Sequence, residues 1–364
     1  MDLAIVGLER SGKTTVFNAL TRGSARTGGY GGGLEPNLGT VKVPDERLDR
    51  LSGLLKAKKV THAEIRYIDF PGSGFSKEKG PAAQYLAGLS RADALIHVVR
   101  LFSSEVVPHP EGSIDPARDL SILDLELAFS DLAVIDRRLE RLEAELRSRK
   151  ASDREAGERE QAILLRFKAS IEAEQPLRSL DLSAEDLKTV SGFGFLTLKP
   201  LLVVLNVGDD DGSRLAEVEA EHASLPLAGR SALVALPGKI EEDLSQMSAE
   251  EAAEFRAEMG IPEESALDRM IKESYALLGL ISFLTVGEPE GRAWTVPEGT
   301  PAVKAAGAIH SDIERGFIRA EVTRSDDLLR TGSYAEARRQ GLLRTEGKTY
   351  IVQDGDVVHV LFNV

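Results

Sequence analysis

Residues 3–20 read LAIVGLERSGKTTVFNAL, and the fold turns on how this stretch is read. Leu3-Ala4-Ile5-Val6 is an apolar run of strand length, and Val16, Phe17, Ala19 and Leu20 recur at helical spacing. Between them, Gly7-Leu8-Glu9-Arg10-Ser11-Gly12-Lys13-Thr14 has the glycine, lysine and threonine spacing of a phosphate loop. Its glycines let the backbone curl so that successive N–H groups face a β-phosphate, Lys13 is placed to reach the β/γ-phosphates, and the Thr14 hydroxyl is placed to ligate Mg²⁺. The helix that begins near Gly12 adds its positive end. The phosphate-side candidates are therefore Gly7, Glu9, Arg10, Ser11, Gly12, Lys13, Thr14 and Thr15.

Outward from this stretch, strand-like runs recur at 64–68 (EIRYI), 94–99 (ALIHVV), 200–205 (PLLVVL) and 232–236 (ALVAL), with helical patterns between them. Alternating strands and helices predict an α/β domain, a mainly parallel sheet with helices on both faces. The long gap after the third run is of another kind. Leu125, Ala128, Leu132, Ile135, Leu139, Leu142 and Leu146 step by three and four, and a second stretch, about 154–174, carries Ile163, Leu164, Phe167 and Ile171 on one side. This predicts an inserted antiparallel coiled-coil hairpin. Ser183-Ala184-Glu185-Asp186 reads as a further helix start. From about 280, short strands (ISFLTV, RAWTV, GFIRAEV, TYIVQ, VVHVLFNV) with Glu346-Gly347 and Asp354-Gly355 turns predict a small α+β domain. The expected division is a nucleotide domain at 1–122, the helical insertion at 123–196, the nucleotide domain resumed at 197–279, and the C-terminal domain at 280–364.

Composition narrows the function classes. With no cysteine, disulfide frameworks and thiolate metal sites are excluded. The N-terminus enters a strand directly and no window has the roughly 18 apolar residues of a membrane helix, so a cytoplasmic protein without membrane contact is expected. The net charge of −14 argues against loose adhesion to polyanions, and no DNA partner is expected. Residues 291–364 nevertheless hold as many Lys and Arg as Asp and Glu, so the acid excess lies upstream. His62, His97, His109, His222, His310 and His359 are scattered, none at i, i+4 spacing, which speaks against zinc. His97 lies within an apolar strand and reads as a core histidine with its hydrogen bonds satisfied.

Two further motifs complete the nucleotide reading. In YIDFPGSG (67–74) an apolar strand ends in Asp69, which in phosphate-loop enzymes holds Mg²⁺, usually through water, and Gly72 offers an N–H to the γ-phosphate. In VVLNVGD (203–209), Asn206 and Asp209 follow another apolar strand, where switch-type GTPases carry Asn-Lys-x-Asp. Val207 stands at the lysine position, and the acids run on through Asp210 and Asp211. The catalytic candidates are Lys13, Thr14, Asp69 and Gly72, the metal candidates are Thr14 and Asp69, and Asn206, Val207, Asp209 and Lys239 join the nucleotide-binding set.

The chain resembles the YchF-type branch of the Obg-related phosphate-loop GTPases. PNLGTVKVPDERLDRLSGLLK (36–56), RADALIHVVRLF (91–102), KIEEDL (239–244), residues 277–322 and EGKTYIVQDGDVVHVLFNV (346–364) all read like that family. The resemblance implies a coiled-coil insertion, a C-terminal TGS-type (β-grasp-like) domain, association with the ribosome or ribosomal RNA, and slow hydrolysis of ATP or GTP. ATP is favoured in members whose base motif ends in Glu. Three departures stand out. Gly33 falls where the family has a switch threonine, and Thr27 or Thr40 replaces it only if the loop rearranges. Ser73 follows Gly72 where the family has a hydrophobic residue and Ras-like enzymes a glutamine, so catalysis must rest on Lys13, Mg²⁺ and backbone donors. The base motif ends in Asp209, and the loop that supplies Ser-Ala-Lys elsewhere reads Pro237-Gly238-Lys239, the earlier Ser231-Ala232 lying before its strand.

Two functions stay open on the sequence. One is a slow, Mg²⁺-dependent purine nucleoside triphosphatase whose switch segments (24–40 and 72–82) govern docking on an RNA-containing partner. The other is a catalytically degenerate adaptor that holds a nucleotide without turnover. A monomer is expected, because an intramolecular hairpin buries the heptad seam.

Overall fold

A computed structural model describes residues 1–23, 25, 35–70, 83–148, 154–262 and 265–363. In chain order its first elements are β1 (Asp2–Val6), α1 (Lys13–Thr21), β2 (Asn37–Lys42), α2 (Glu46–Leu54), β3 (Val60–Thr61), β4 (Glu64–Asp69), α3 (Ala83–Arg91) and β5 (Ala94–Arg100). There follow α4 (Pro116–Ser148), α5 (Arg154–Glu172), α6 (Ala184–Val190), β6 (Leu201–Asn206), α7 (Leu215–Glu221), β7 (Ser231–Leu236) and α8 (Gly238–Ser245). The C-terminal strands are β8 (Leu280–Val286), β9 (Gly291–Pro297), β10 (Phe317–Arg324), β11 (Arg344–Glu346) and β12 (Asp356–Phe362).

The chain divides into two compact units, Met1–Gly39 with Arg66–Met270, and Thr40–Ile65 with Ile271–Val364. In the first, the sheet order is β2-β4-β1-β5-β6-β7. The β1–β4, β1–β5, β5–β6 and β6–β7 pairings are all parallel, as expected for strands joined by helical crossovers. The central strands are buried along their length, which is why they read as continuous apolar runs and not as alternating ones. The β2 edge strand carries no alternating apolar signal in the sequence, because its inward positions are Asn37, Gly39 and Val41 while Leu38 faces solvent.

The insertion is an antiparallel hairpin: Asp136 of α4 pairs with Lys168 of α5, and Arg138 with Glu160. Ile163, Leu164, Phe167 and Ile171 are buried as expected, together with Ile135 and Leu142. Leu125 is a correction. It is 52% exposed, while Leu120, Leu123 and Leu127 are buried, because the first half of α4 packs on β5 and turns a different stripe inward. Asp131 of α4 accepts the Leu196 and Thr197 N–H groups at 2.8 Å each, fastening the chain where it returns to the sheet. α6 starts at Ser183 with a reciprocal Ser183/Asp186 capping box.

The second unit has the sheet order β11-β10-β12-β8-β9-β3 and a core that includes Phe283, Val296, Ala305, Ala320, Val322 and Val358. Residues 40–65, read from sequence as part of the nucleotide domain, belong here, as do 271–279. The reason lies in α2, which buries Leu48 and Leu51 and packs on β8 and β9. TYIVQ is a second correction: it forms a single bridge, Pro301 to Ile351, and the edge strand is β11. Tyr350 donates to Asp356 at 2.7 Å and so is held to the start of β12. Among the described residues no helix is long and apolar enough to cross a membrane.

Candidate functional site

β1 ends at Val6, and the loop that follows turns back to start α1 at Lys13. Gly12 caps α1 with φ 93°, a left-handed conformation, and a Cβ there would collide with the Asn206 amide. Glycine at this position therefore answers to two demands, the turn and the close approach of β6. Lys13 Nζ donates to the carbonyls of Leu8 at 2.8 Å and Gly7 at 3.2 Å, which folds its side chain back over the loop. Burial pulls its ammonium down to about 8, opposed by the negative fields of Asp69 and Glu9. Glu9 and Thr15 are half-buried, Arg10 is exposed and Ser11 is buried. The Ser11 hydroxyl has no partner among the described residues.

Asp69, the last residue of β4, is fully buried beside the start of α1. Its Oδ2 accepts from Thr14 Oγ1 at 3.0 Å and from Asn37 Nδ2 at 3.2 Å, while Oδ1 has no partner among the described residues. Burial raises the carboxyl, and the Asn37 bond, the Thr14 bond and the Lys13 charge pull it back. Mg²⁺ prefers hard oxygen donors and holds few protein ligands, keeping several waters. A hydroxyl at the head of α1 and a buried carboxylate with one oxygen unclaimed among the described residues suit that donor set. Gly72, Gly33, Ser73 and Thr27 lie outside the described residues.

In the Asn-x-x-Asp motif, Asn206 at the end of β6 uses both ends of its amide. Nδ2 donates to the Ser11 carbonyl at 2.9 Å, and Oδ1 accepts the Gly238 N–H at 3.1 Å. It thus braces the phosphate loop against the first turn of α8. Val207 is buried and its N–H donates to Leu236, so this residue contributes backbone placement. Asp209 is exposed at the head of a short 3₁₀ turn, Asp209–Asp211. Lys239 is also exposed, and donates to Asp243 at 2.8 Å and Glu242 at 3.3 Å.

Three residues that sequence reasoning did not assign to the site are joined to it. Asn37 reaches Asp69, and its signal was present only as part of PNLG. Asn18 of α1 donates to Glu242 of α8 and to the Ala25 carbonyl, both at 2.9 Å, and accepts the Ala25 N–H. Arg100, at the end of β5, lies over the Phe102 ring at 4.2 Å and donates to Phe102, Val107 and Arg10 carbonyls, which ties the phosphate loop to residues 102–107. A charged arginine in a strand gave no signal of this role. His97 is buried in the core as expected, but the expectation that its hydrogen bonds are satisfied is corrected: neither ring nitrogen is partnered among the described residues, because the strands around it present apolar side chains.

Residues 2–126 match the family described as 50S ribosome-binding GTPase, and residues 280–363 match the C-terminal family of YchF GTPases, described as a protein of unknown function. The chain is 40% identical to the Ribosome-binding ATPase YchF of Bacillus subtilis over 373 residues, covering 100% of both chains. It is 38% identical to that of Pasteurella multocida, covering 99% of this chain and 98% of the relative. The solved YchF GTPase of Schizosaccharomyces pombe superposes with a TM-score of 0.84 at 30% identity, covering 99% of this chain and 97% of that one. With likeness of this extent running through both units, the chain belongs to the YchF family.

Proposed function

We propose that this protein is a slow, Mg²⁺-dependent purine nucleoside triphosphatase whose nucleotide state governs association with the ribosome. The observation that carries the catalytic part is the convergence of Lys13, the Thr14 hydroxyl and the buried Asp69, with Thr14 Oγ1 to Asp69 Oδ2 at 3.0 Å. In this reading Lys13 neutralises the β/γ-phosphates, loop N–H groups and the N-terminus of α1 orient them, and Gly72 supplies a donor to the γ-phosphate. Thr14 and Asp69 would hold Mg²⁺, which when bound would supply positive charge to neutralise the phosphates during transfer. Asn206 keeps the phosphate loop in register with the base loop, where Asp209 and Lys239 meet the purine. The relatives' name, Ribosome-binding ATPase, supports both the ribosome as partner and ATP as nucleotide.

Phosphate release by the purified protein under saturating Mg²⁺-ATP and, separately, Mg²⁺-GTP tests this, with Lys13→Ala as the control for contamination. Release with one nucleotide that the variant lacks names the base. Binding without release from either would replace the enzyme by a nucleotide-holding adaptor. Asp69→Asn is expected to lower turnover far more than affinity. Asp209→Ala is expected to weaken GTP selectively if guanine is the base, and unchanged competition between ATP and GTP would remove Asp209 from the base site.

A further inference from the structure

β2 opens at Asn37, and Asn37 and Gly39 share one face of the strand because alternate residues do. A Cβ at Gly39 would collide with Thr21 and come close to Phe17, both on α1, so the strand lies against that helix only because residue 39 has no side chain. Two residues back along the strand, the Asn37 amide meets Asp69 Oδ2 at 3.2 Å, beside the Thr14 hydroxyl that donates to the same oxygen at 3.0 Å. Two donors on Oδ2 leave Oδ1, buried and unclaimed among the described residues, as the free face of the carboxylate.

The chemistry of the two donors differs in a useful way. A hydroxyl has one proton to give and lone pairs to spare, so Thr14 can donate to Asp69 and still offer oxygen to a metal. An amide N–H₂ only donates, and it carries no charge. It therefore fixes the direction of a carboxylate without neutralising it, as a lysine or arginine in its place would. We propose that Asn37 is a positioning residue for the metal-holding carboxylate: it locks the Asp69 side chain so that the second oxygen is presented to Mg²⁺. The inference rests on the reading of Thr14 and Asp69 as the Mg²⁺ site and adds to it a residue that touches neither metal nor nucleotide.

The test is the Mg²⁺ dependence of affinity for a fluorescent purine nucleoside diphosphate, read by anisotropy on the full chain. Wild type is expected to bind more tightly as Mg²⁺ rises, and Asp69→Asn to lose that response. Asn37→Ala is expected to keep its Mg²⁺-free affinity while the Mg²⁺ concentration for half-maximal tightening rises about tenfold, the scale of one hydrogen bond to a charged group. Asn37→Leu, of nearly the same shape without the donor, is expected to match it and serves where the alanine variant does not fold. A wild-type Mg²⁺ response in both variants would overturn the inference. Equal weakening with and without Mg²⁺ would also overturn it, since that is the mark of a general role in holding β2. Failure of wild type to respond to Mg²⁺, or a response that survives in Asp69→Asn, would instead overturn the underlying reading of Asp69.

Discussion

The Lys13 ammonium, pulled down to about 8 by burial, gives the phosphate site a pH dependence of its own. A bound polyphosphate favours the charged form, so above pH 8 the protein must take up a proton to bind. Affinity is expected to fall as pH rises from 7 to 9.5, and calorimetry at pH 8.5 in buffers of different ionisation enthalpy should read that uptake; heats that do not vary with buffer would contradict it. His97 acts on stability. Burial holds its pKa at about 3, so the unfolded chain binds a proton between the ordinary 6.5 and 3 that the folded chain refuses, and stability falls as pH falls through that window. Asp131 runs the other way: burial pushes its carboxyl up to about 6, so below that pH the folded chain takes up a proton first and gains. His97→Phe should therefore lose less stability than wild type between pH 7 and 4.5, by on the order of 2 kcal/mol in denaturant titrations. Of these residues, Lys13 was legible because its role follows from neighbours within the same loop. His97 was legible only as an apolar-strand histidine, since the residues that enclose it come from elsewhere in the chain.

At the scale of elements, the hairpin of α4 and α5 is the best-read feature, because helical spacing alone says which residues share a face. Phe167 stands at its centre, fully buried, with the Phe195 ring edge-on at 5.5 Å. Phe167→Ala is expected to destabilise the hairpin by about 3–5 kcal/mol, since the neighbouring rings can fill the void only in part. Hydrogen exchange should locate that loss in α4 and α5, and uniform loss across the sheet would contradict it. The misplacement of Leu125 has the same physical origin as the success. A helix pattern fixes which residues lie together, but α4 has two partners along its length, β5 and then α5, and the buried stripe shifts where the partner changes.

Across the whole molecule, the most consequential arrangement is the assignment of residues 40–65 to the C-terminal unit. Within that unit Arg47 bridges Asp45, at 2.8 Å, and Asp354, at 2.6 Å, and Asp354 also accepts the Ser282 N–H at 2.9 Å. One guanidinium thus links the start of α2 to the turn before β12. Arg47→Ala leaves Asp45 and Asp354 without that donor and is expected to destabilise the unit by about 1–3 kcal/mol, read as faster exchange in α2 and residues 353–356.

The sequence by itself determined the phosphate loop, the central strands of the parallel sheet as apolar runs alternating with helices, and the helical insertion, because each depends on residues within a few positions of one another. Backbone freedom at glycine, the reach of one lysine and the period of a strand or helix are local properties. Only the tertiary structure decided that Asn206 braces Ser11 from 195 residues away, that Asn37 meets Asp69, and that α2 lies with the C-terminal strands. Those contacts depend on which faces of separate elements pack together, and one spacing pattern is compatible with many such packings.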